Sequence, residues 1–69
     1  MKTVRGKIYT WESNNIPVYL LAKGMSIGFV HVLTWDSEIH YIPSEYLIKL
    51  TSAHKNLDWC KKLSNNKEY

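Results

Sequence analysis

The sequence predicts an α+β fold: a small antiparallel sheet or open barrel followed by a C-terminal amphipathic helix. Three observations carry this. Residues 3–11 alternate in the period of a strand, and two β-rich runs flank Asp36-Ser37 in the manner of a hairpin. Ala53, Leu57 and Cys60 then recur at the spacing of one helix face.

Taken in order, the first strand is expected over 3–11, with Val4, Gly6, Ile8 and Thr10 on one side and Thr3, Arg5, Lys7, Tyr9 and Trp11 on the other. Glu12-Ser13-Asn14-Asn15 supplies consecutive turn formers that reverse the chain. Ile16 to Ala22 reads as a second strand ended by Lys23-Gly24; Pro17 limits it to an edge or a strand start, and a two-turn helix capped by Asn15 is the alternative. Phe29 to Trp35 and Glu38 to Ile42 form the hairpin. A two-residue loop of Asp36 and Ser37 would put Trp35 opposite Glu38, Leu33 opposite His40 and His31 opposite Ile42, leaving Val30, Val32, Thr34, Ile39 and Tyr41 as the core face.

Beyond Pro43 two versions compete. One helix over 44–63 would carry Tyr46, Leu50, Ala53, Leu57 and Cys60 as a stripe. The preferred version breaks at Thr51-Ser52, which suit a cap better than a helix interior; residues 45–50 then close the sheet. A helix over 52–63 follows, burying Ala53, Leu57, Cys60, Leu63 and part of Trp59. Residues 64–69 are expected to fray.

The segment Tyr41-Ile42-Pro43-Ser44-Glu45-Tyr46-Leu47 resembles the run that enters the last strand of Src-homology-3 domains. The resemblance covers only these positions of the 69, and it implies a small open barrel of SH3-like outline in which Pro43 and Tyr46 help line a groove for proline-rich peptides.

At 69 residues, against roughly 100 to 200 per domain, the chain holds a single small domain over 1–69. With 45% hydrophobic and 22% charged residues it has the composition of a folded protein. A domain this small buries only about 60% of its unfolded surface, which leaves little room for a deep pocket. The lone Cys60 cannot form an internal disulfide, and neither a signal peptide nor a run of about 18 apolar residues is present, so a soluble, cytoplasmic protein without membrane contact is expected.

No catalytic site, cofactor or metal is expected. His31, His40 and Glu38 would be neighbours on one hairpin face, but the four recurring ligand positions of a structural site are missing. Asp36 reads as a turn former, not a catalyst.

Three Trp and five Tyr are too many amphipathic rings for so thin a core, so some must face outward, where they make efficient protein anchors. The leading expectation is therefore a non-enzymatic binding module that docks on a larger protein and modulates it by masking. Tyr9, Trp11, Trp35, His40 and Tyr46 would be its contacts, and the Lys- and Asn-rich composition fits a phage or AT-rich bacterial source. The alternative is a single-stranded nucleic-acid binder: Arg5, Lys7, Tyr9 and Trp11 would interleave cations for phosphates with rings for bases, and the net charge of +3 has the right sign. The oligomeric state is not encoded in any pattern of this kind.

Overall fold

β-Branched and aromatic residues dominate β1, β3 and β4 of the five strands that form: β1 (Ile8–Trp11), β2 (Ile16–Lys23), β3 (Phe29–Thr34), β4 (Ile39–Pro43) and β5 (Leu47–Ile48). In this computed structural model, which describes residues 3–65 and the side chains of 3–63, they make one antiparallel sheet in the order β4-β3-β2-β1-β5. A 3-10 turn (Ser44–Tyr46) separates β4 from β5, and two short helices, α1 (Ser52–Lys55) and α2 (Asp58–Asn65), follow. No helix among the described residues is long and apolar enough to cross a membrane.

One face of the sheet carries the core: Tyr9, Val18, Leu20, Val30, Val32, Ile42 and Leu47, with Trp11 and Ile16 packed against it. Burial of each large aliphatic side chain contributes about 1.5–3 kcal/mol, so this face supplies most of the drive to fold. The sheet curls over it. Trp11 in β1 and His40 in β4 have two strands between them, yet their rings meet with centroids 5.2 Å apart.

The first strand is shorter than its alternation implies. Val4 to Lys7 form a turn closed by Lys7 N–H to the Val4 carbonyl, with Gly6 at φ 85°. Both Gly6 N–H to the Leu20 carbonyl and Leu20 N–H to the Lys7 carbonyl are made, so two residues oppose one and the chain bulges before β1 starts. Arg5 and Lys7 therefore lie in or beside a turn and not on a strand face with Tyr9 and Trp11.

β2 forms as a strand, not as a helix capped by Asn15; Asn15 instead takes the left-handed conformation (φ 53°) in the turn after β1. Pro17 sits near the start of β2, where it pairs with Thr10.

The β3–β4 hairpin forms, but its register differs from the expected one. Leu33 pairs with Ile39, Val32 with His40, His31 with Tyr41 and Val30 with Ile42. The loop is Trp35, Asp36 and Ser37, closed by Thr34 N–H to the Glu38 carbonyl, and Ser37 takes φ 68°. Ser37 N–H also bonds the Thr34 carbonyl (3.0 Å), so a four-residue turn ends on a left-handed residue and the loop is one residue longer than the two-residue alternative. A slip of one residue moves every side chain of β4 to the opposite face. Val30, Val32 and Thr34 are buried as expected, whereas Ile39 and Tyr41 are exposed and His40 and Ile42 turn to the core.

Residues 44–50 resolve into the 3-10 turn and the two-residue β5, which pairs with Thr10 and Trp11. Thr51 caps α1, its hydroxyl accepting from the His54 N–H. The expected continuous helix is interrupted at Asn56-Leu57, so its stripe is rotated: Cys60 is fully buried, Ala53 is exposed and Leu57 is 45% exposed. Of the tail expected to fray, Ser64 and Asn65 have helical backbone in α2 and the rest lies outside the described residues.

Candidate protein-docking groove

A small polar hub fixes the helices against the sheet. Thr10 is fully buried in β1, and its hydroxyl accepts from the Thr51 N–H (3.3 Å) and bonds the His54 Nδ1 (3.1 Å). A buried hydroxyl without partners costs about 1–3 kcal/mol, so these bonds tie α1 to β1 at a defined place. The break after α1 then directs Leu57 and Trp59 toward the outer surface near the start of β2.

Across from them stands the tip of the β3–β4 hairpin. The Thr34 hydroxyl donates to the Asp36 carboxylate and accepts from the Glu38 N–H (3.2 Å). The Thr34 hydroxyl beside Asp36 holds that carboxyl below its usual range, outweighing desolvation. This network stiffens the loop that presents Trp35, which is 63% exposed.

Between the helical segment and the tip lies a groove of about 420 Å³, lined by Ile16, Pro17, Trp35, Leu57 and Trp59, with His54 and Asp58 among its polar groups. Two indoles, a proline ring and two aliphatic side chains form a mostly apolar cleft with few polar groups, the composition of a site that takes an apolar anchor. Among the described residues that line it there is no nucleophile with an adjacent base.

The expected contact residues do not form one patch. Tyr9 is 6% exposed and its hydroxyl accepts from the Val4 N–H (2.7 Å), so it belongs to the core and offers no ring face to a partner. Trp11 and His40 are half-buried and pack edge to face; the indole Nε1 is enclosed without a hydrogen-bond partner among the described residues. Tyr46 is half-exposed in the 3-10 turn, over a separate shallow hollow shared with Glu12 and Ser13. Trp35 is the one expected contact that lines the groove. The stripe of Arg5, Lys7, Tyr9 and Trp11 is not assembled, because the turn removes the cations from the strand and the core takes Tyr9.

His31 and His40 likewise fall on opposite faces, paired with Tyr41 and Val32. The imidazole of His31 lies 4.5 Å from the Tyr41 ring.

Sequence reasoning missed Leu57 and Trp59 as lining residues by assigning them to a continuous helix stripe. It also passed over Gly24-Met25-Ser26-Ile27-Gly28, which spells the Gly-x-Ser-x-Gly string of hydrolase elbows. That string requires a strand-to-helix turn, and here it joins the antiparallel strands β2 and β3. The Ser26 N–H donates to the Tyr41 hydroxyl (3.2 Å), and among the described residues no base is hydrogen-bonded to the Ser26 hydroxyl. No protein-family model, curated protein or solved structure matches this chain.

Proposed function

We propose that this protein is a non-enzymatic binding module that docks on another protein through the groove between Trp35 and Trp59. The occupant is a segment of that protein carrying an apolar side chain, which enters between the two indoles. The observation that carries this reading is the 63% exposure of Trp35 on a loop pinned by Thr34 and Asp36, opposite Trp59, Leu57 and Pro17. A ring held rigidly in water loses little entropy on binding and gains large contact area, which is why such rings act as anchors.

The architecture is read as an open SH3-like barrel. Support comes from the strand order, from the 3-10 turn between β4 and β5, and from the approach of Trp11 to His40 across the curled sheet. The docking site is placed on the Trp35 side and not at Pro43 and Tyr46, because the hollow beside Tyr46 is smaller, at about 220 Å³, and holds one ring.

The test compares wild type with Trp35→Ala in capture from nuclease-treated native extract, read by quantitative mass spectrometry. One protein is expected to be retained by wild type and depleted at least about tenfold by the variant, equivalent to 1.4 kcal/mol. Its retention should change little with salt, because the contact is apolar. Equal retention by both proteins contradicts the reading, as does a ligand that nuclease removes and that salt releases log-linearly.

A further inference from the structure

We propose that a second copy of this chain pairs with the free edge of β4, antiparallel and about a two-fold axis at His40, joining two sheets into one. This site is distinct from the groove and does not depend on it.

In the β3–β4 ladder, Thr34 N–H bonds the Glu38 carbonyl (2.9 Å) at one end, and Ser44 N–H bonds the Gly28 carbonyl (2.7 Å) at the other. Antiparallel ladders alternate, so residues 38, 40, 42 and 44 turn their backbone groups toward β3, and Ile39, Tyr41 and Pro43 turn theirs away. Among the described residues β4 ends the sheet, so the N–H and C=O groups of Ile39 and Tyr41 face outward with no neighbouring strand. Their side chains share the solvent face of the sheet, at 63% and 44% exposure, with the Tyr41 ring lying beside Phe29 and His31.

The two edges of the sheet are treated differently. β5 is two residues long and is followed by exposed Lys49, both of which discourage pairing. β4 is five residues long and contains no lysine and no bulge; its proline is only at the end. An apolar edge of this kind is complementary to another strand and not to a general surface.

Complementarity to itself selects the occupant. An axis at His40 sets Ile39 opposite Tyr41 of the second copy and Tyr41 opposite its Ile39, using all the outward amides. Each match is an aromatic residue against a β-branched one, a pair worth more than average on a sheet face. Moving the register by one pair would place Pro43, which has no N–H, opposite Ile39. The two-fold also brings the loop at 24–28, with Met25 and Ile27 fully exposed, toward the Ile39 end of the other copy. That loop is held at the Tyr41 end of β4: the Tyr41 hydroxyl accepts from Ser26 N–H, and any side chain at Gly24 would collide with the Tyr41 ring. One patch used twice is the isologous pattern of most small dimers.

Two copies each carrying +3 repel, so added salt should strengthen the dimer, opposite to its effect on nucleic-acid binding. The experiment is sedimentation equilibrium and amide hydrogen exchange on the full chain, from micromolar to millimolar concentration. The mass is expected to approach twice the monomer's, with exchange at the Ile39 and Tyr41 amides slowing at least about tenfold as the dimer fills. Ile39→Lys should remove both effects while its circular dichroism at micromolar concentration matches wild type. A monomer at millimolar concentration overturns the proposal. So does a dimer whose Ile39 and Tyr41 amides stay unprotected, or one that Ile39→Lys leaves intact.

Discussion

Thr10 and Asp36 show how single polar groups place the groove. Thr10 is fully buried and serves Thr51 and His54 at once, so Thr10→Val keeps the volume and strands both partners. We expect Thr10→Val to lower stability by about 1–3 kcal/mol in denaturant titration, while Thr10→Ser, which keeps the hydroxyl, loses less. Asp36 carries a pH signature. Its carboxyl lies below the ordinary range because it accepts from Thr34, so the unfolded chain takes up that proton more readily than the folded one. The stabilisation is complete above the unfolded value of about 3.9 and is lost as pH falls through the folded one. Carbon-detected NMR titration of the Asp36 carboxyl should give a midpoint that rises toward the ordinary carboxylate range in Thr34→Val. An unchanged midpoint would separate Asp36 from Thr34. Trp35→Ala, by contrast, removes an exposed side chain and should change stability by less than about 0.5 kcal/mol, so a drop in capture by this variant would be a surface effect and not unfolding.

The hairpin is the element on which the reading of this chain turned. Its strands were legible from Val, Ile, Thr and aromatic residues around a turn, but its register was not, because Asp36-Ser37 serves a two-residue or a three-residue loop equally well. The left-handed Ser37 decides it, and no side chain in the sequence announces a left-handed serine. Ser37→Gly removes the cost of that conformation, about 1 kcal/mol, and should raise the midpoint of thermal unfolding by about 4–8 °C. A lowered midpoint would mean that the loop is not held in this geometry. The helical segment repeats the lesson. Thr51 was legible as a cap from its residue type, whereas the break at Asn56-Leu57 was not, since Ala53, Leu57 and Cys60 keep perfect helical spacing across it. That spacing assigned Leu57 and Trp59 to the core and hid them from the site.

For the whole molecule, composition stated correctly that its aromatic rings could not all be enclosed, but not which would stay outside. Tyr9 is enclosed by the curl of the sheet and Trp11 mostly so, while Trp35 is left in water because it sits in a loop beyond the last core pair. The contact of Trp11 with His40 spans β1 and β4 and reports the curl directly. A double-mutant cycle with Trp11→Ala and His40→Ala should give a coupling of about 0.5–1.5 kcal/mol. Zero coupling would describe a flatter sheet with a wider mouth. Occupation of the groove that this curled sheet and its helices frame is read by site-specific photo-cross-linking in the native cell, with a benzophenone amino acid at position 35, at position 57, or at the exposed Lys49 position. Docking in the groove should give one protein adduct of the same mass from positions 35 and 57 and none from position 49. Adducts of equal yield from all three positions, or adducts that nuclease digests, would contradict it.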